Sequence, residues 1–152
     1  MTYNNTRGAI NQYAKVKTNA AIEDASPHKL IQMLMEGALE KIAMAKNFID
    51  RGDIANKGSH ISWAISIIDG LKVSLNKDAG GEIAENLDML YDYMQRRLVE
   101  ANMHSDKSIL DEVAGLLNEI KGAWDAIPTE YQEMKPNQPE ETGTEDRVNI
   151  IS

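Results

Sequence analysis

A chain of 152 residues with 42% hydrophobic content is long enough to close one core and fits a single domain. Its formal charge of −8, with no dense Lys/Arg cluster, excludes binding that works by neutralising nucleic-acid phosphates and argues equally against an anionic membrane surface. The absence of cysteine removes disulfides, thiolate metal sites and a thiol nucleophile, and fits a reducing compartment.

No apolar run is long enough to span a membrane, and Met1 to Gly8 are polar. A cytoplasmic chain without membrane insertion is therefore expected. The apolar supply is mainly Leu, Ile, Ala and Met, and aromatics are only 5%, which suits helices better than strands.

Residues 7–16 can form one short N-terminal helical segment bearing Ile10 and Tyr13, and residues 18–25 read as a linker. The first long helix is predicted from Pro27 to about Asp50. Ser26 is its N-cap, and Pro27 takes the first helical position, where a missing N–H costs nothing. Leu30, Leu34, Ala38, Ile42, Ala45 and Ile49 recur at three- and four-residue steps and form its inward stripe.

Arg51-Gly52-Asp53 stops this helix and caps the next, expected from about Ile54 to Leu75 with Ile54, Ile61, Ile65, Ile68, Leu71 and Leu75 inward. Asn76 to Gly81 reads as a loop. The third helix is expected from near Glu82 to near Asn102, with Ile83, Leu87, Leu90, Met94, Leu98 and Ala101 on its stripe. Ser105-Asp106 caps a fourth, with Ile109, Val113, Leu116, Ile120, Trp124 and Ile127 inward, and Pro128 stops it. Short links between helices of similar length place chain neighbours antiparallel. The expected fold is all-α: an antiparallel up-down four-helix bundle with the short N-terminal segment and a disordered acidic tail.

The domain is expected to span residues 1–135 and the tail 136–152. From Pro128 onward there are six acids (Glu130, Glu133, Glu140, Glu141, Glu145, Asp146) and two bases (Lys135, Arg147), a balance of −4. The tail has little to bury before Val148, Ile150 and Ile151.

Nothing in the chain points to catalysis. A di-iron bundle needs Glu-x-x-His pairs, but the residues three before His28, His60 and His104 are Ala25, Lys57 and Ala101. No P-loop or Gly-x-Gly-x-x-Gly occurs, so no cofactor or metal is expected. The informative residues are apolar ones outside the stripes. At about 100° per residue, Met33, Leu39 and Met44 leave the first stripe, Trp63 and Ile67 the second, and Met89 and Tyr93 the third. Single exposed apolar residues are normal. Taken together, Trp63, Ile67, Met89 and Tyr93 predict an apolar strip between the second and third helices that receives an amphipathic segment.

One stretch is specific. Gly80-Gly81-Glu82-Ile83-Ala84-Glu85-Asn86-Leu87, continuing through Leu90-Tyr91-Asp92-Tyr93-Met94 and Arg96-Arg97-Leu98 to Ala101-Asn102, closely resembles the flagellar secretion chaperone FliS family. Ala25-Ser26-Pro27-His28-Lys29-Leu30-Ile31, Gly52-Asp53, Ile67-Ile68-Asp69-Gly70-Leu71, Leu116-Leu117 and Ala123-Trp124 agree with it, so the resemblance covers about residues 8–127. Met35-Glu36 departs from a Tyr-Asp common in the family but keeps an apolar and an acidic residue. The resemblance implies a helical bundle that binds the C-terminal disordered region of flagellin, prevents premature polymerisation and helps deliver it to the flagellar export gate. Ile10 and Tyr13 match the apolar pair of an N-terminal segment implicated in partner exchange. Two other readings of the residues are a bundle adaptor for a different secreted or signalling client, and a bundle enzyme or metalloprotein. The third-helix motif disfavours the first, and the missing carboxylate–His pairs and cysteines disfavour the second.

Overall fold

The computed structural model describes residues 25–128, which form four helices: α1 (Pro27–Arg51), α2 (Ile54–Val73), α3 (Lys77–His104) and α4 (Lys107–Asp125). Each boundary has a local cause. The Ser26 hydroxyl accepts from the Lys29 backbone N–H at 3.1 Å and starts α1. Gly52 ends it in the left-handed region at φ 71, and the N–H groups of Gly52 and Asp53 return to Ile49 and Phe48 carbonyls. The Asp53 carboxylate then accepts from Asn56 N–H at 3.1 Å and starts α2.

The expected loop at residues 76–81 is a helical turn instead. Asn76 accepts from Ala79 N–H at 3.1 Å, and Lys77 to Gly80 wind once before Gly81 breaks the spiral at φ 55, ψ −129. A side chain at Gly81 would meet nothing within 4 Å, so the glycine is needed for its backbone angles and not for space. At the other end of α3, Ser105 takes φ 48, and the Asp106 carboxylate accepts from Ser108 and Ile109 N–H to open α4.

All four neighbouring pairs run antiparallel. Gln32 at the start of α1 donates to Asp125 at the end of α4, while Asp50 at the end of α1 meets Lys107 at the start of α4. Phe48 and Lys41 of α1 face His60 and Trp63 of α2 in descending order. Lys57, Ile65 and Lys72 of α2 meet Asn102, Gln95 and Asp92 of α3. The tight Ser105-Asp106 turn folds α4 back on α3, where Arg97 pairs with Glu112. The result is the up-down bundle.

Leu34, Ala38, Ile42, Ala45, Ile61, Ile68, Leu71, Met94, Leu98 and Val113 form the core as their periodicity requires. Three expectations fail for geometric reasons. Met33 is buried although it leaves the α1 stripe, and Met35 is buried with it. Helix α1 has a neighbour on each flank, so more than one stripe is covered. Ile54 and Ile83 lie on the stripes but are 62% and 44% exposed, because each sits in the first turn of its helix or just past a break. In α4 the fully buried residues are Leu110, Val113 and Leu117, so the inward arc is rotated by about one residue from the predicted stripe. Among the described residues no helix is long and apolar enough to cross a membrane.

Candidate interaction surface

The four residues expected to form one apolar strip do not converge. Ile67 is only 1% exposed and belongs to the core. Trp63 is half-buried, with its ring 3.9 Å from the Lys41 ammonium of α1. Tyr93 is turned the other way, and its hydroxyl donates to Glu112 of α4 at 2.5 Å. In a square bundle, a residue on the flank of a stripe faces the next helix around the ring. Trp63 and Tyr93 occupy opposite flanks of the α2–α3 pair. Met89 alone of the four is widely exposed, at 64%. Ile10 and Tyr13 lie outside the described residues.

Met89 has company that the sequence reading missed. Val99 is 49% exposed and Met103 71% exposed. Met89, Asp92, Arg96, Val99 and Met103 follow one another at three- and four-residue steps, so they form one outward ridge along α3. The ridge runs about 21 Å at 1.5 Å rise per residue. That spacing was present in the sequence. Asp92 and Arg96 interrupt the apolar residues of this row, so hydrophobic periodicity alone does not mark it.

Beside the ridge, α2 presents Ala55, Ser59, Ser62 and Ser66, all exposed and small, again at four- and three-residue steps. A partner helix crossing here meets low relief on α2 and methionines on α3. Met is unbranched and polarizable, so such a surface adapts to the shape of its partner. The seam between α2 and α3 is closed by polar contacts. Gln95 donates to the Ile65 carbonyl at 3.3 Å, and Asp92 lies between Arg96 at 3.1 Å and Lys72 at 3.3 Å. The Arg96 and Lys72 contacts hold the Asp92 carboxyl below its ordinary range.

Elsewhere several titratable groups are engaged within the bundle. The Tyr93–Glu112–Arg97–Glu100 chain ties α3 to α4, and its Glu112 contact raises the Tyr93 phenol. His28 stacks on Trp124 with ring centroids 4.8 Å apart and planes 6° from parallel, and burial pushes its imidazole down. No group of described residues has the makings of a metal site.

Among the described residues, the bundle leaves the α3 ridge exposed. The family described as Flagellar protein FliS matches residues 9–131. The chain belongs to the FliS family. Flagellar secretion chaperone FliSB of Pseudomonas aeruginosa is 51% identical over 119 residues, covering 78% of this chain and 94% of the relative. Flagellar secretion chaperone FliS of Salmonella typhimurium is 48% identical over 123 residues, covering 80% and 91%. The Vibrio cholerae protein of the same name is 42% identical over 128 residues, covering 84% and 94%. FliS proteins are chaperones and not enzymes.

Proposed function

We propose that this protein is a cytosolic export chaperone for flagellin. It binds the C-terminal segment of flagellin, keeps it from polymerising before export, and helps deliver it to the flagellar export gate. The observation that carries this reading is membership of the FliS family, whose relatives here are named flagellar secretion chaperones. The α3 ridge supports it and supplies the physical means.

A client segment that is disordered alone must order itself on binding, which costs free energy that a large apolar contact has to exceed. The ridge at Met89, Val99 and Met103, with Ile54 at the start of α2, offers apolar surface that nothing in the described bundle covers. Fully burying a side chain of this kind contributes about 1.5–3 kcal/mol. Client apolar residues seated there are hidden from other client molecules, which is the physical content of preventing polymerisation. Ile10 and Tyr13 are proposed to serve exchange with the export gate.

The test is co-purification of the full chain with a C-terminal flagellin segment as a one-to-one complex. Failure to capture that segment, with capture of a different secreted protein, would transfer the chain to the adaptor reading.

A further inference from the structure

The sulfur atoms of this chain are divided between core and surface. The sequence holds eight methionines and no cysteine, so thioethers are its whole sulfur chemistry and no thiol competes for an oxidant. Met33, Met35 and Met94 are buried in the bundle, and Met44 is only partly exposed. Among the described methionines, Met89 and Met103 are the two that stand widely exposed. Both lie on the outward ridge of α3, whereas Met94 of the same helix is fully covered by the core. Met1 and Met134 lie outside the described residues. Neither Met89 nor Met103 belongs to the core cluster, so a change of polarity at these positions leaves the packing of the bundle intact.

We propose that Met89 and Met103 are peroxide-sensitive modification sites whose oxidation lowers affinity for the client. The effect on affinity rests on the flagellin-chaperone reading with the client on the α3 ridge. In the step, the thioether sulfur attacks one oxygen of hydrogen peroxide. The S–O bond forms as the O–O bond breaks, the proton on the transferred oxygen passes to the departing hydroxide, and water leaves. Sulfur gives up two electrons and the peroxide takes them, so peroxide is the only co-reactant. The product is methionine sulfoxide, a polar and chiral group where a flexible apolar one stood. A client side chain seated on it buries a sulfoxide oxygen that lacks a hydrogen-bond donor, which opposes binding. Reaction follows exposure, so the core thioethers are shielded while the ridge is modified. Sulfoxide reductases reverse the change, so the ridge can lose and regain its apolar character without unfolding of the bundle.

In the experiment the full chain is treated with hydrogen peroxide, freed of it, and mapped by peptide mass spectrometry. Affinity for an untreated C-terminal flagellin segment and helical circular dichroism are measured on the same samples. Sulfoxide should appear at Met89 and Met103 well before Met33, Met35 and Met94. Affinity should fall by about tenfold or more with helix content unchanged, as a buried polar atom without a partner requires. Methionine sulfoxide reductases A and B should restore it. Met89→Leu/Met103→Leu is compared with its own untreated state, whatever its starting affinity, and peroxide should change its binding little. Met89→Gln/Met103→Gln puts a polar group on the ridge and should bind more weakly than the parent before any treatment. Sulfoxide spread evenly over buried and exposed methionines, or an oxidised chain that binds as the untreated one does, overturns the inference and leaves the chaperone reading standing. So does an affinity loss that persists in the Leu variant or that comes with loss of helix. An untreated parent chain that does not bind the segment overturns the chaperone reading and the proposed effect on affinity together.

Discussion

The Lys57 ammonium, buried between α2 and α3, donates to the carbonyl of Asn102 at 2.8 Å. It also donates to the Ser105 hydroxyl at 2.9 Å. A cation thus sits on the C-terminal end of α3, where helix carbonyls have no partners of their own and the dipole favours positive charge. The same contact holds the left-handed turn at Ser105 from which α4 departs.

Lys57→Met keeps the stem and removes both donors. It should destabilise the fold by about 2 kcal/mol, because a part-buried carbonyl loses a charged partner. Urea denaturation of the two proteins measures this. A loss under about 0.5 kcal/mol, the range of an ordinary surface change, would mean that the clamp is incidental.

Gly81 and Gly52 separate two kinds of backbone demand. Gly52 is left-handed at φ 71, ψ 18, whereas Gly81 at φ 55, ψ −129 lies where side-chain-bearing residues are scarcely found. Neither has a neighbour within 4 Å that a methyl group would strike. Gly52→Ala should cost about 1 kcal/mol and Gly81→Ala more, about 2–3 kcal/mol. Thermal melts of both variants check the order.

The burial of His28 makes a pH prediction. Its folded pKa is lowered, chiefly by burial and in part by Lys29, against an opposing pull from Asp125. On the α4 side, Asp125 is itself engaged by Lys121 and Gln32. A group whose neutral form is favoured in the fold binds more protons when unfolded. Stability is therefore full above the unfolded pKa near 6.5 and declines as pH falls below it. Denaturation midpoints between pH 7.5 and 5 should fall in the parent and fall less in His28→Phe, which retains a ring to stack on Trp124. A parallel decline in both would assign the effect to other groups.

The helix ends were legible because caps are local. Ser26, Pro27, Gly52, Asp53 and Asp106 announce themselves within three residues of the bonds they make. Direction around a helix was legible too, which is why Leu34, Ile61 and Leu98 are core residues. Periodicity does not give depth along the bundle, so Ile54 and Ile83 were expected inside and stand exposed. Nor does it say which neighbour a flank will face. Trp63 meets Lys41 of α1 and Tyr93 meets Glu112 of α4, so residues that look equally peripheral in sequence belong to different seams. The ridge of Val99 and Met103 required knowing that no other described helix covers the outside of α3.

The α3 ridge is proposed as the surface that holds the client. The direct measurement is affinity for a C-terminal flagellin segment in the variant Met89→Ala/Val99→Ala/Met103→Ala, with melting temperature recorded on the same samples. Exposed side chains contribute little to the fold, so the melt should stay close to that of the parent. Apolar anchors at an interface cost on the order of 1–2 kcal/mol each when truncated, so affinity should fall by roughly a hundredfold or more at about 1.4 kcal/mol per factor of ten. A variant that melts like the parent and binds flagellin as tightly would contradict the account and place the client on another face of the bundle.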